Sequence, residues 1–81
     1  MLKFFRPEYG ETIEDARSVP KCNNMVESWF VLEAAEYIYH EEDGWESHWP
    51  QTIAIVTEIG EIKLYSIGLE YNPDFYVDEV L

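Results

Sequence analysis

The feature that most limits the fold is one uninterrupted segment, about residues 25–41, which contains neither Gly nor Pro. Its apolar residues recur at helical spacing and fall on one side at about 100° per residue. Asn24, with Glu27 three residues later, forms a variant of the capping box, and Gly44 is suited to a left-handed stop. The segment therefore predicts one amphipathic helix. Its predicted core stripe comprises Val31, Ala34, Ala35 and Ile38, flanked by Phe30 and Tyr37.

The residues before the helix contain weaker strand signals. Residues 2–6 are typical of a short first strand, which ends at Pro7 because proline cannot continue a hydrogen-bonded ladder. Residues 15–20 alternate weakly and predict a second strand that pairs back on the first. The intervening residues 7–14 have the composition of a loop, in which Gly10 permits a tight turn.

The residues after the helix predict a hairpin. Residues 51–57 contain a β-branched run that is typical of a buried strand, and residues 61–69 form its partner across Gly60. A turn at 72–74 precedes a short final strand at 75–77. The predicted fold is α+β, with one helix packed on an antiparallel sheet of four or five strands in the order ββαββ.

Charge is distributed unevenly along the chain. Its 17 acidic and 5 basic residues give a net charge of −12, all of it in residues 22–81, where Lys63 is the single base. At 47% apolar and 16% aromatic, the composition is too rich in core residues for a disordered acidic tail. Direct nucleic-acid binding needs a basic patch, so the charge argues against it and favours a protein partner with a basic surface.

Length and cysteine content narrow the class further. The 81 residues predict one small domain, residues 1–81, and Cys22 alone cannot form an intramolecular disulfide. We find no apolar run near the roughly 18 residues of a membrane helix, and no signal-peptide pattern, so we expect a cytoplasmic protein without membrane contact. No nucleophile elbow, phosphate loop or dinucleotide fingerprint occurs, and we therefore predict no catalytic residues and no cofactor.

Residues 10–17 read Gly-Glu-Thr-Ile-Glu-Asp-Ala-Arg, and Glu-Ala-Ala-Glu-Tyr follows at 33–37 in the predicted helix. With the strand–Gly–strand hairpin, this stretch resembles a group of small acidic bacterial and phage proteins with Gly-Glu-Thr-x-Glu-Asp-Ala-Arg between a first strand and a helix. The resemblance implies a bacterial or mobile-element origin and a small α+β fold, but no activity. Residues 41–50 depart from that pattern. Physically, the stretch is typical of a loop, in which Asp15 is placed to pair with Arg17.

A candidate binding surface lies opposite the core stripe. Four residues at spacings of 4, 3 and 4 form one line along the helix, and the loop after it adds tryptophans among acids. An aromatic ring among carboxylates is what a hot spot for a basic partner needs. The predicted partner-binding residues are Trp29, Glu33, Glu36, His40, Glu41, Glu42, Asp43, Trp45, Glu46 and Trp49. The alternative for Trp45 and Trp49 is that both fold back to cap the core.

These observations predict a non-enzymatic acidic protein-interaction module. In its sharper form it is a mobile-element inhibitor that mimics nucleic-acid charge to block a nucleic-acid-binding defence protein. The predicted mimic residues are Glu27, Glu33, Glu36, Glu41, Glu42, Asp43 and Glu46. One alternative is a structural homodimer that pairs edge strands or buries tryptophan faces. The other is a metal-binding regulator that uses Glu36, His40 and His48.

Overall fold

The computed structural model describes residues 2–20, 26–71 and 74–80. Their regular structure consists of β1 (Lys3–Phe5), α1 (Glu27–Tyr37), β2 (Gln51–Val56), β3 (Ile62–Tyr71) and β4 (Asp74–Val80). The strands form one sheet in the order β1-β2-β3-β4, and every neighbouring pair is antiparallel. The predicted α+β class, with one helix and a four-stranded antiparallel sheet, is confirmed. No helix among the described residues is long and apolar enough to span a membrane.

The predicted order ββαββ is wrong, because the helix lies between β1 and β2. Residues 15–20 form only an isolated bridge, in which Phe4 and Arg17 exchange backbone hydrogen bonds of 2.8 and 3.0 Å. Residues 13–15 form a 3-10 turn instead, and the Thr12 N–H donates to Asp15 Oδ2 at 2.8 Å. That turn competes with the strand, so residues 15–20 contribute only this bridge on one edge of β1, while β2 pairs with the other edge.

The predicted hairpin is present. Gly60 has a φ of 87°, the left-handed conformation that glycine adopts most readily, and Thr57 N donates to the Glu61 carbonyl at 2.8 Å. The final strand runs over Asp74–Val80 and is longer than the three residues predicted. Of the predicted turn at 72–74, residues 72–73 lie outside the described part of the chain.

The helix ends differently from the prediction. After Tyr37 it continues as a wider π-helical turn over Ile38–Glu42, closed by Asp43 N, which donates to the Ile38 carbonyl at 2.6 Å. Gly44 is not left-handed; a Cβ there would lie 2.9 Å from the Tyr39 carbonyl oxygen, so the site needs glycine for space. Among the described residues, positive φ angles occur at Gly10 and Gly60. The predicted cap at Asn24, and Cys22, lie outside the described residues.

The core lies between α1 and one face of the sheet. The predicted stripe of Val31, Ala34, Ala35 and Ile38 is fully buried, as helical periodicity required. It packs with residues from the sheet, from α1 itself and from the segments before and after the helix. These further core residues are Phe4, Val19, Phe30, Trp49, Ile53, Ile55 and Ile67. Because the buried side of α1 packs on the sheet, the opposite side of the helix faces away from the core.

Candidate functional site

The outer side of α1 carries the first group of predicted partner-binding residues. Trp29 is 62% exposed, Glu36 and His40 are exposed, and Glu33 is half-buried. Because these residues repeat every three or four positions, they lie on the side of the helix opposite the buried stripe. The line predicted from helical spacing is therefore open to solvent in this structure.

Two apolar side chains that the sequence analysis missed accompany Trp29. Val26 is 61% exposed just before α1, and Leu32 is 40% exposed three residues after Trp29. Their position beside Trp29 could have been predicted from the sequence, since residues three apart on a helix are neighbours. We call Val26, Trp29 and Leu32 the helix patch. An exposed apolar patch rimmed by polar residues is a feature of protein–protein interaction sites.

An open groove runs alongside the same part of the helix. Its volume is about 310 Å³, close to the size of one or two long side chains. Val19, Pro20 and the ring of Tyr37 supply apolar lining, while three carboxylates and one imidazole supply polar lining. The polar residues of this acidic groove are Glu33, Glu36, His40 and Glu41. The groove therefore combines negative charge with an aromatic surface.

Glu42, which was also predicted to bind a partner, is engaged within the fold. Its side chain is 20% exposed and forms an ion pair with Arg17, whose Nε donates to Oε2 at 2.7 Å. Arg6 Nη1 lies 3.6 Å from the other carboxylate oxygen. Arg17 also donates to Glu11 at 2.9 Å and to the Asp15 backbone carbonyl at 3.1 Å. The predicted Asp15–Arg17 ion pair is thus replaced by pairs to Glu11 and Glu42.

Asp43 is the centre of a buried hydrogen-bond network. Its side chain is 8% exposed, and Oδ2 accepts from Arg6 Nη2 at 2.9 Å, from Tyr9 Oη at 3.1 Å and from Gln51 Nε2 at 3.3 Å. His48 Nδ1 lies 2.9 Å from Oδ1. The Gln51 side-chain Oε1 in turn accepts from Arg6 Nη2 at 3.1 Å and from Arg6 Nε at 3.3 Å. Asp43 therefore does not present a carboxylate to a partner in this structure.

The same contacts determine the protonation of Asp43. Burial by itself raises its pKa, but hydrogen bonds from His48, the Trp45 N–H and Tyr9 outweigh that effect and lower the pKa below its ordinary value. Conversely, burial and the hydrogen bond to Asp43 raise the pKa of the Tyr9 hydroxyl. Both shifts favour an ionised Asp43 beside a neutral phenol. The network is consequently stable as a set of charge-assisted hydrogen bonds at neutral pH.

The two loop tryptophans behave differently. Trp49 is 9% exposed, its ring centroid lies 5.5 Å from that of Phe75, and its Nε1 donates to the Asp43 carbonyl at 3.3 Å. Trp45 is 71% exposed. Trp49 therefore caps the core, whereas Trp45 remains on the surface. Glu46 begins a 3-10 turn over Glu46–His48, and its side chain lies outside what the structure describes.

The predicted metal ligands are not assembled as one site. His48 Nδ1 is held by Asp43, while Glu36 and His40 line the acidic groove. No group of three or more His, Cys, Asp or Glu side chains among residues 2–20, 26–71 and 74–80 is placed to hold a metal ion. The metal-binding alternative thus has no geometric support in the described residues.

Comparisons of this chain with protein-family models, with curated proteins and with solved structures find no match. The resemblance of residues 10–17 to small bacterial and phage proteins therefore stays a prediction. Any assignment of function rests on the geometry of the helix patch, the acidic groove and their surroundings.

Proposed function

We propose that this protein is a non-enzymatic interaction module that binds a protein with a basic surface through the outer side of α1. The observation that carries the proposal is the juxtaposition of the exposed Trp29 with the acidic groove on one helix face. Tryptophan is enriched among residues that dominate binding energy, and the surrounding charge steers a basic partner.

The helix patch supplies the apolar part of this interaction. Trp29 and Val26 are each more than half exposed, and Leu32 extends the patch by one helical turn. Burying such side chains on binding contributes about 25 cal/mol for each Å² of apolar surface removed from water. The patch alone lacks specificity, since any apolar surface would cover it.

The acidic groove supplies the specificity. Its volume of about 310 Å³ accommodates an extended Lys or Arg side chain, whose charged end meets Glu33, Glu36 or Glu41. The Tyr37 ring in the lining offers a cation–π contact, which favours Arg over Lys. We therefore expect an arginine of the partner to occupy the groove while an apolar side chain of the partner packs on Trp29.

The geometry reduces the set of carboxylates that could mimic phosphates. Glu42 and Asp43 bind Arg17 and Arg6 within the fold. The Glu27 carboxylate accepts hydrogen bonds from Tyr65 Oη at 2.6 Å and from Lys63 Nζ at 3.3 Å. A mobile-element inhibitor acting on a nucleic-acid-binding protein would thus use mainly Glu33, Glu36 and Glu41, with Trp45 as a second exposed anchor.

A charge-matched pair of variants tests the site. The probe is a short arginine-rich peptide, titrated into the ¹⁵N-labelled protein and followed by NMR. We expect Glu33→Gln/Glu36→Gln to weaken binding about tenfold, while Glu61→Gln/Glu79→Gln, which removes the same charge from exposed positions outside the groove, changes the affinity less than about twofold. Equal weakening in both variants would show that net charge acts alone and would reject the groove.

Salt dependence and competition test the remaining parts. Affinity should fall steeply between about 50 and 500 mM NaCl, and an unchanged affinity would rule out an electrostatic interaction. For the inhibitor form, duplex DNA should displace this protein from a captured DNA-binding partner, because both would occupy the same basic surface. Simultaneous binding of DNA and this protein to that partner would contradict charge mimicry.

A further inference from the structure

The face of the sheet turned away from α1 carries a second apolar surface. Side chains of directly opposed residues point to the same face of a sheet. The register aligns Phe5 with Ala54, Ala54 with Leu64, and Leu64 with Val80, which makes one row across all four strands. None of these four side chains belongs to the core cluster that packs against α1. We call this row, together with the neighbouring pair Val56–Ile62, the sheet face.

Part of the sheet face is open to solvent. Phe5 and Ala54 are buried, but Leu64 is 38% exposed, Val80 42% and Ile62 49%. The solvent-facing side of an antiparallel sheet normally carries polar side chains at such positions. In this part of the chain, β3 carries apolar residues on both faces instead. The row of apolar side chains is therefore buried at Phe5 and Ala54 and exposed to solvent at Leu64 and Val80.

The sheet face also differs in charge from the rest of the molecule. Among the described side chains that the register places on it, the charged ones are Lys3, opposite Val56, and Asp78, opposite Ser66. Their charges cancel, whereas the whole chain carries −12. A second copy of this chain is therefore repelled over most of the surface but not here. Lys3 lies on the edge strand β1 and Asp78 on the opposite edge strand β4. A twofold axis can therefore place Lys3 of each copy opposite Asp78 of the other copy.

We propose that two copies of this chain associate through their sheet faces. In this arrangement the two sheets pack face to face about 10 Å apart, and each helix lies on the outer side of its own sheet. Both sheets therefore separate the two helices. The acidic grooves are then separated by well over the Debye length of about 8–10 Å, and their repulsion is screened. Association through the helix patch would bring the same carboxylates together.

The size of the sheet face limits the strength of the dimer. Strands spaced about 4.8 Å apart at about 3.3 Å per residue cover roughly 330 Å² in projection, with six residues taken from each of β2, β3 and β4 and the three residues of β1. Stable interfaces bury about 800 Å² for each partner, so the dimer is a weak one. We expect dissociation in the range of about 10–500 µM, with monomers dominating at lower concentrations.

Sedimentation equilibrium of the whole chain over about 5 to 500 µM tests the proposal. We expect Leu64→Gln/Ile62→Thr to raise the dissociation constant at least tenfold, while Trp29→Gln, which removes a larger exposed apolar side chain from the other layer, leaves it within about twofold. Circular dichroism establishes that each variant is folded. A wild-type chain that is monomeric at about 500 µM overturns the proposal and leaves the sheet face to a different protein. A dimer that responds to Trp29→Gln but not to the strand variant overturns it as well.

Salt separates this proposal from the proposed function. Raising NaCl from about 50 to 500 mM screens the repulsion between two acidic chains and should strengthen the dimer by a few fold or leave it unchanged. The same change weakens binding of the arginine-rich peptide. Either result can fail without the other, because the two surfaces lie on opposite layers. A dimer that dissociates as salt rises would contradict association through the sheet face.

Discussion

Asp43→Asn is the most direct perturbation of the buried network, since it removes a charge and keeps the size of the side chain. The guanidinium of Arg6 is left without its closest counter-ion, at 2.9 Å, in a residue that is 7% exposed. Breaking a buried ion pair by removing one partner costs about 3–5 kcal/mol. Glu42, 3.6 Å from Arg6 Nη1, still compensates part of that charge. We therefore expect a loss at the lower end of the range, about 3 kcal/mol in the free energy of unfolding.

A loss of this size is large for a domain of 81 residues, whose total stability is on the order of 4–12 kcal/mol. It lowers the melting temperature by roughly 12–24 °C, at about 4–8 °C for each kcal/mol. Urea unfolding followed by tryptophan fluorescence measures it, because Trp49 is buried and its Nε1 donates to the Asp43 carbonyl. Unchanged m-values, checked by circular dichroism, would show that the variant alters stability and not the extent of unfolding.

Glu36→Gln is the matched control, since it makes the same chemical change at an exposed position on α1. Its effect should stay within about 0.5 kcal/mol, as for most surface substitutions. The reasoning is refuted if Asp43→Asn costs less than about 1 kcal/mol, or if both variants cost the same. Either outcome would mean that Arg6 is not held by Asp43 in solution.

Two further predictions concern the same end of the helix. Because the pKa of Asp43 lies below its ordinary value, its ionised form stabilises the fold above about pH 4, and this contribution disappears as the pH falls through the lowered pKa. Below pH 4 the urea midpoint of the wild type should therefore fall more steeply than that of Asp43→Asn, and parallel curves would contradict this. Gly44→Ala places a Cβ 2.9 Å from the Tyr39 carbonyl oxygen and should cost about 1–3 kcal/mol in a thermal or urea melt. Ser47→Ala, in the exposed turn that follows, is its control, and equal melts for the two variants would count against the close approach.

Much of the fold was predictable where a local pattern was strong. The buried stripe of α1 follows from apolar residues that recur every three or four positions, because this period places them on one side of an α-helix. The hairpin was predictable from two local features. A β-branched run forms β2, and Gly60 adopts the positive φ of the turn that follows. The extra strand at residues 15–20 was wrong because only two apolar residues supported it, and a local turn at Thr12 and Asp15 competes with it.

The candidate site was predictable only in part. Helical spacing placed Trp29 and the carboxylates beside it on the outer side of α1, and their exposure agrees with that placement. Leu32 was not predicted to lie on this surface, although helical spacing makes it a neighbour of Trp29 three residues before it. The availability of Asp43 could not be inferred, since its partner Arg6 is 37 residues away in the chain.

The sequence by itself determined the class of the fold, the buried side of the helix and the excess of negative charge, because composition and short-range periodicity carry that information. Only the tertiary structure decided which acids remain on the surface. Arg6 and Arg17 reach the end of α1 from the N-terminal residues and neutralise Asp43 and Glu42 there. The strand register likewise decided that apolar residues of β3 open onto the face of the sheet turned away from α1. Both outcomes depend on contacts between residues far apart in the chain, and local sequence patterns do not encode such contacts.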